Sequence, residues 1–377
     1  MSFVLTEEQE SISRTAKSFF GERAPVAHLR ALRDAADSVG FSRELWKEMA
    51  SLGLFAMAIP EAYGGAGLGY SELGLVLTEG GRTLAPTPFV STILLSSNAL
   101  LIGGSPEQRR ATLPDVSAGD RVIAFAHDEG TRFAPYAVAT RAEPRGAGFV
   151  LTGEKSLVLD GHVADDFLVV ARSAGSPGER AGLTIFWVPA SAPGITVTRT
   201  HLVDSRNAAR VRFAGTPARE IIGQPGAGAD VLDAVLDRAT IGLSAEMLGG
   251  IEEAFDRTIA YLKTRKQFGV SIGSFQALKH RAAQLFCEIE LSKSIVLDAL
   301  RAIDAARPDL SRVASVAKAR TSDTFVAVTN EAVQMHGGVG VTDELDIGLF
   351  LKRARVSEMT LGTAAYHRDR FARLHGY

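Results

Sequence analysis

Cysteine, net charge and long apolar runs are all scarce in this sequence. Its 377 residues include one cysteine, Cys287, which excludes an internal disulfide and a cysteine-based zinc site. A lone cysteine is typical of a reducing compartment, so we expect the cytoplasm. Lys and Arg total 41 against 43 Asp and Glu, a balance that gives no general electrostatic reason to bind nucleic acid or an anionic membrane. Cys287 falls among core positions of a helical pattern, and we expect it to be buried and structural.

Signals for a membrane segment and for common hydrolytic or metal sites are also missing. The longest uncharged stretch, residues 83–106, contains three prolines and predicts a buried helix rather than a membrane span. The N-terminus lacks the basic and apolar regions of a secretory signal. There is no Gly-x-Ser-x-Gly, no His-Glu-x-x-His and no histidine pair at metal spacing. A serine hydrolase or zinc enzyme therefore has little support, and we predict no metal site.

The hydrophobic pattern predicts three domains in the order α, β, α. Residues 1–118 have helical periodicity and begin with a capping box at Thr6 and Gln9. Residues 119–223 consist of short β-rich runs separated by Gly, Pro, Asp and Ser, as expected of an antiparallel sheet or barrel. Residues 224–377 contain long helical patterns, with the clearest at 229–263, 274–307 and 311–335, as in a helix bundle. The fold class is mainly α with a central β domain.

Two clusters in the last domain could bind a ligand. In the first, Arg265, Gln267, Phe268 and Gln276 surround a helix break at glycines. An arginine fork can clamp a diphosphate, although charges that end a helix are more often simply solvated. In the second, residues 334–340, the Gly337-Gly338 pair lets backbone N–H groups converge on a phosphate, although a glycine C-cap explains it equally well. Neither cluster is decisive alone.

Together, the motifs resemble the acyl-CoA dehydrogenase family. They are Tyr261-x-x-x-Arg265-x-x-Phe268-Gly269, Phe275-Gln276, Gln334-x-x-Gly337-Gly338-x-Gly340 and Gly362-Thr363, in this order behind a β domain. The resemblance implies an N-terminal helical domain, a middle antiparallel β barrel and a C-terminal four-helix bundle that forms dimers and tetramers. It also implies FAD, an acyl-CoA substrate and an electron-transfer flavoprotein as partner. The implied FAD-binding residues are Arg265, Gln267, Phe268, Phe275, Gln276, Gln334, Gly337, Gly338 and Thr363.

The same resemblance implies that the catalytic base is missing. In this family a carboxylate removes the α proton of the thioester while the β hydrogen leaves as hydride to the flavin. Most members carry this Glu directly before the Gly-Thr pair, where this chain has Leu361. A minority carry it 22 residues before the Tyr of the first motif, where this chain has Ala239. Glu246 is a weak substitute candidate, followed by Glu358 and His367. We expect Glu246 to be a buried carboxylate paired with an arginine, and Glu358 to be a surface or interface charge.

The groups that would face the flavin ring are altered as well. The family's Thr-Glu-Pro-Gly-Ala-Gly-Ser loop aligns with residues 127–133, which places His127 at the flavin-bonding threonine and Phe133 at the serine near the substrate. The Trp-Ile-Thr segment becomes residues 157–159, Leu-Val-Leu, and the Arg after the alternative base position becomes Thr240.

The chain retains the family's residues for only one end of the cofactor. In the family the retained residues hold the diphosphate and adenosine end of FAD, largely across the dimer interface. Our leading hypothesis is therefore the base-less subunit of an α2β2 acyl-CoA dehydrogenase, of the kind that acts on steroid or other bulky acyl groups in actinobacteria. Two alternatives remain open: a self-sufficient homodimer or homotetramer with a relocated base, and a non-redox protein that binds acyl-CoA or scaffolds a partner.

Overall fold

The computed structural model of the chain describes residues 5–377 and divides into two compact units. A helical unit contains residues 5–31, 70–85 and 240–377, and a β unit contains residues 32–69 and 86–239. Of the helices in these residues, none is long and apolar enough to cross a bilayer.

In the described residues from 5 onward, six α-helices precede the sheet. They are α1 (Glu7–Arg23), α2 (Val26–Asp34), α3 (Arg43–Ser51), α4 (Tyr70–Arg82), α5 (Asn98–Gly103) and α6 (Pro106–Ser117). The predicted capping box starts α1: the Thr6 side chain accepts from the backbone of Gln9, whose side chain accepts from the backbone of Thr6. Residues 83–106 include a π-helical segment, Phe89–Ser97, that leads into α5, and residues 89–100 are all buried. The prediction of a buried helical segment is therefore confirmed.

Eight strands form one mixed sheet in the β unit. They are β1 (Ile123–Ala126), β2 (Arg141–Arg145), β3 (Gly148–Leu159), β4 (Asp166–Arg172), β5 (Leu183–Pro189), β6 (Ile195–His201), β7 (Asn207–Ala218) and β8 (Glu220–Ile222). The order is β6-β7-β3-β2-β4-β5-β8, with β1 paired to β4. Most pairings are antiparallel, as predicted, but β4 pairs in parallel with β1 and with the end of β2. All four residues of β1 are buried, as is usual for a strand in a parallel pair.

Five helices and a short hairpin follow. They are α7 (Gly228–Thr264), β9 (Lys266–Gln267), β10 (Val270–Ser271), α8 (Gln276–Asp304), α9 (Leu310–His336), α10 (Ile347–Met359) and α11 (Ala364–Leu374). The three long helices lie within a few residues of the predicted ranges. In the helical unit, α8, α10 and α11 all pack against α9.

The prediction that Cys287 is buried is wrong. Leu285 and Ile289 are buried, but Cys287 is exposed. It lies two positions after Leu285, about 200° around the helix, so it points away from the face that carries the core. The neighbouring Phe286 is also exposed.

Candidate functional site

The first predicted cluster lies on the turn between α7 and α8. Phe268 and Gly269 have φ angles of 52° and 80°, so they form the left-handed turn that a two-residue hairpin requires, and β9 and β10 pair on either side. The Phe268 side chain is 91% exposed, and Arg265, Gln267 and Gln276 are exposed as well. Phe275 contacts Phe268 edge-on, with ring centroids 6.1 Å apart. The connection from α7 to α8, residues 265–276, therefore exposes a guanidinium, two amides and two aromatic rings.

Tyr261 connects this turn to the second cluster. Its hydroxyl donates to the backbone oxygen of His336 at 3.3 Å, and the two rings stack with centroids 4.3 Å apart. His336 ends α9, so Gln334, Gly337 and Gly338 lie close to the end of α7, and all three are exposed. Gly337 has a φ of 66°, and a Cβ placed on Gly337 or Gly338 would meet no atom within 4 Å. Gly337 does serve as the C-cap of α9, and its backbone also stays open to a ligand.

The Gly-Thr pair lies on the turn between α10 and α11. Leu361 is 6% exposed and has a φ of 57°, an unusual angle for a leucine. The Thr363 side chain caps α11 by accepting from the backbone N–H of Tyr366 at 3.3 Å. The His367 ring donates from Nε2 to the Leu361 carbonyl at 2.9 Å. Burial and the nearby Lys318 ammonium lower the pKa of His367 to about 3, so its ring is neutral.

Lys318 is a residue that the sequence reasoning missed. Its side chain on α9 is fully buried, and its Nζ lies 3.0 Å from the Glu358 carbonyl, 2.9 Å from the Gly362 carbonyl and 3.1 Å from the Ser322 hydroxyl. Burial lowers the pKa of Lys318 to about 7, against the opposing charge of Glu358. A signal was present in the sequence: Lys318 falls on the apolar stripe that also contains Ala314, Ala317 and Phe325.

The candidate bases have other contacts. Glu246, 13% exposed, lies 3.4 Å from the guanidinium of Arg353, which confirms the expected pairing with an arginine. The carboxylate of Glu358 is 28% exposed and lies 3.4 Å from Arg355. At the alternative base position, Ala239 is completely buried.

The segment that aligns with the family's flavin loop is held by its own contacts. His127 is 5% exposed, its Nε2 donates to the Pro135 carbonyl at 2.8 Å, and its ring meets Phe133 edge-on. The Lys155 ammonium donates to the His127 carbonyl at 3.0 Å and to the Glu129 carboxylate at 2.6 Å. The His127 side chain is thus already engaged within the β unit.

The Glu129 carboxylate completes this arrangement. It accepts from the backbone N–H groups of Ala139 and Thr140 at 2.6 and 3.0 Å. Burial works against its ionisation, but the Lys155 ammonium and these hydrogen bonds outweigh burial and lower the pKa of Glu129. On β3, Val158 and Leu159 are buried and Leu157 is half-buried, and the register shifts between Lys155 and Val158. Apolar side chains therefore replace the hydrogen-bonding groups of the second flavin segment.

Three family models together match most of the chain. They are the acyl-CoA dehydrogenase N-terminal domain at residues 6–120, the middle domain at 125–215 and the C-terminal domain at 226–375. The chain is a member of the acyl-CoA dehydrogenase family. Its helical, β and helical regions are those of the family fold, although the domain boundaries at 118 and 223 stay a prediction.

Similar proteins cover the whole length. A probable acyl-CoA dehydrogenase of Bacillus subtilis, YngJ, is 30% identical over 99% of each chain. Among solved structures, a variant of the Tcur3481-Tcur3483 steroid ACAD is 33% identical over 98% of each chain, with a TM-score of 0.88. The ChsE4-ChsE5 complex from Mycobacterium tuberculosis is 28% identical over 100% of this chain and 99% of the other, with a TM-score of 0.90.

The residues of this chain fit one end of FAD and not the other. Arg265, for which the described residues provide no acidic partner, and the open Gly337-Gly338 backbone suit a diphosphate and its sugars. Of the residues that the resemblance assigns to the ring end, His127 is hydrogen-bonded to the Pro135 carbonyl, and Leu361 has no group that can take a proton. No proton-transfer step from this chain can be assigned on these groups.

Proposed function

We propose that this chain is the base-less subunit of a heteromeric acyl-CoA dehydrogenase. In this role it lends Arg265, Gln267, Phe268, Phe275, Gln276, Gln334, Gly337, Gly338 and Thr363 to FAD shared with a partner subunit that carries the catalytic Glu. The partner removes the α proton of an acyl-CoA, such as a steroid or another bulky acyl group, and the reduced complex passes electrons to an electron-transfer flavoprotein. A cytoplasmic location is part of the proposal.

One contrast carries the proposal: the described residues provide no acidic partner for the exposed Arg265 and leave the Gly337-Gly338 backbone open, whereas His127 is buried and hydrogen-bonded within the chain. Phe268 is 91% exposed, and with the exposed Val270 and Phe275 it forms apolar surface of the kind that marks a binding site. His127, by comparison, is 5% exposed, and its Nε2 donates a hydrogen bond to the Pro135 carbonyl. The similarity to two solved acyl-CoA dehydrogenases, each named as a pair of polypeptides, supports the heteromeric assembly.

The contacts of Glu246 and His367 do not favour a self-sufficient enzyme with a relocated base. The carboxylate of Glu246 already faces Arg353. Protonating His367 would place a charge on a ring that is 2% exposed and close to the Lys318 ammonium. A scaffolding role without redox chemistry would leave the exposed Arg265 and Phe268 without a purpose.

The test is an arginine variant carried only by this chain. Arg265→Gln keeps a polar, hydrogen-bonding side chain, although a shorter one, and removes the charge and the bidentate fork. Co-expressed with a base-bearing subunit, it should weaken FAD binding by the complex about tenfold or more, because a charge-assisted hydrogen bond contributes about 1.5–3 kcal/mol. Lys266→Gln is the matched control, since Lys266 is the exposed neighbour on β9. Equal FAD affinity for both variants would refute the proposal.

A further inference from the structure

The turn that carries Gly362 and Thr363 leaves several backbone acceptors without helical partners. The carbonyls of Glu358, Leu361 and Gly362 lie at or beyond the last turn of α10, where no later N–H can reach them in helical geometry. Buried carbonyls need donors, and a leucine in the left-handed region persists only where its surroundings enforce it. Local sequence does not supply that enforcement.

Two side chains from other helices supply the donors. Lys318 of α9 reaches the Glu358 and Gly362 carbonyls, and His367 of α11 donates to the Leu361 carbonyl. The exposed fractions of Lys318 and His367 are 0% and 2%, so water cannot replace either donor. All three orphan carbonyls are thereby fixed from two directions.

We propose that Lys318 is a positioning residue, which together with His367 forms a clamp that holds Leu361, Gly362 and Thr363 in one conformation and so places Thr363 against the FAD of the complex. The clamp rests on the contacts above, and only its role toward FAD rests on the proposed function. Because Thr363 also caps α11, the clamp fixes the start of that helix together with the threonine hydroxyl.

The geometry suits both protonation states of Lys318. The ammonium donates one hydrogen to each of its three oxygen neighbours. The neutral amine can donate to the Glu358 and Gly362 carbonyls and accept from the Ser322 hydroxyl at 3.1 Å. The charged and titratable groups near it are Glu358 from α10 and His367 from α11, with Arg370 acting on His367.

Opening of the turn should therefore depend on pH. An open turn would expose Lys318 to water, where its pKa returns toward about 10.5. Between pH 7 and that value the open state binds more protons than the closed state, so the closed state gains stability as pH rises. A residue that merely filled space would give no such slope.

Hydrogen exchange on the purified chain tests the clamp directly. The amides of Gly362, Tyr366 and His367 are bonded to Met359, the Thr363 side chain and the Thr363 carbonyl, and report on the turn. Lys318→Met should reduce their protection about tenfold or more, because the buried carbonyls of Glu358 and Gly362 lose their hydrogen-bond donor, and the desolvation penalty of unsatisfied carbonyls is of that order. Lys352→Met, on the half-buried lysine of α10, should leave it unchanged. After correction for intrinsic exchange, wild-type protection should rise from pH 7 to 9, and Lys318→Met should show no slope.

A second pair of variants guards against misfolding. His367→Gln retains a side-chain donor for the Leu361 carbonyl and should keep most of the protection, whereas His367→Phe should lose it. Equal protection in Lys318→Met and Lys352→Met, with no pH slope in the wild type, would overturn the clamp. With the partner subunit present, Lys318→Met should also weaken FAD binding, and unchanged affinity would overturn the positioning role. A wild-type complex that binds no FAD would refute the proposed function, and the exchange data would still decide the clamp.

Discussion

Replacing Leu361 by Glu restores a carboxylate at the family's base position and shows whether the rest of the site is present. Leu361 is 6% exposed, so losing its burial costs about 2 kcal/mol of unfolding free energy. Leu361→Gln is the matched control, because it has the same shape as the Glu variant without a charge. Burial should raise the folded-state pKa of the introduced carboxylate, and the Lys318 ammonium should limit that rise.

The pH dependence follows from the sign of this shift. A carboxylate with a raised folded-state pKa contributes its full stability below its unfolded pKa and loses it as pH rises through the folded pKa. The Glu and Gln variants should thus have similar stability near pH 4, and the Glu variant should be less stable at pH 7. A shift of one to two units corresponds to about 1.4–2.7 kcal/mol. Urea denaturation across this pH range measures the difference.

The enzyme activity of the Leu361→Glu variant tests the reasoning more directly than its stability does. We expect purified Leu361→Glu, without a partner, to show no acyl-CoA-dependent flavin reduction, because the His127 side chain is buried and hydrogen-bonded to the Pro135 carbonyl, and the His127 carbonyl accepts from Lys155. The assay is flavin bleaching with acyl-CoA thioesters of several sizes, after incubation with excess FAD. Turnover by the isolated Glu variant, and not by the Gln variant, would refute the reasoning that the ring site is absent.

Three other predictions concern single contacts. Lys155→Met should lower the free energy of unfolding by about 3 kcal/mol, because it leaves Glu129 without its cation. In urea denaturation, the additional change Glu129→Gln should recover part of this loss. Because the pKa of Glu129 is lowered, the wild type should be more stable than Glu129→Gln at pH 7, and this difference should be lost as pH falls below about 4. Phe268→Asn should stabilise the isolated chain by about 1 kcal/mol, since Asn suits a left-handed turn and the ring is 91% exposed, yet weaken FAD binding in the complex; a gain in both would contradict the assignment. Cys287 is exposed, so a thiol reagent should label it rapidly in the folded isolated chain, and labelling only after denaturation would show that this face is covered.

The long helices could be predicted because their apolar periodicity is sustained over many turns. The prediction for Cys287 failed because it relied on the usual burial of free cysteine, whereas the spacing of Cys287 from Leu285 places it off the apolar stripe. Lys318 was missed because a lysine is normally assigned to the surface, and only the packing of α10 and α11 on α9 reveals the carbonyls that it satisfies. The parallel pairing of β1 with β4 depends on the path of about 40 residues between them, which local patterns do not encode.

The retained motifs predict a nucleotide-binding cluster from the chemistry of their residues, and the contact of Tyr261 with His336 places the two parts of that cluster close together; FAD binding there stays a prediction. The contacts of the residues assigned to the flavin-ring end could not be predicted from the sequence, because they depend on the three-dimensional structure. A histidine in place of a threonine could have faced a flavin, and only the bond from His127 to Pro135 and the contact with Lys155 show that it is engaged internally.

The flavin stoichiometry of purified protein tests the central claim most directly. Absorbance near 450 nm, compared with total protein, should show little FAD on this chain alone and about one FAD per heterodimer when it is co-purified with a base-bearing acyl-CoA dehydrogenase subunit. One FAD on every copy of the isolated chain, bleached by acyl-CoA without a partner, would contradict the account.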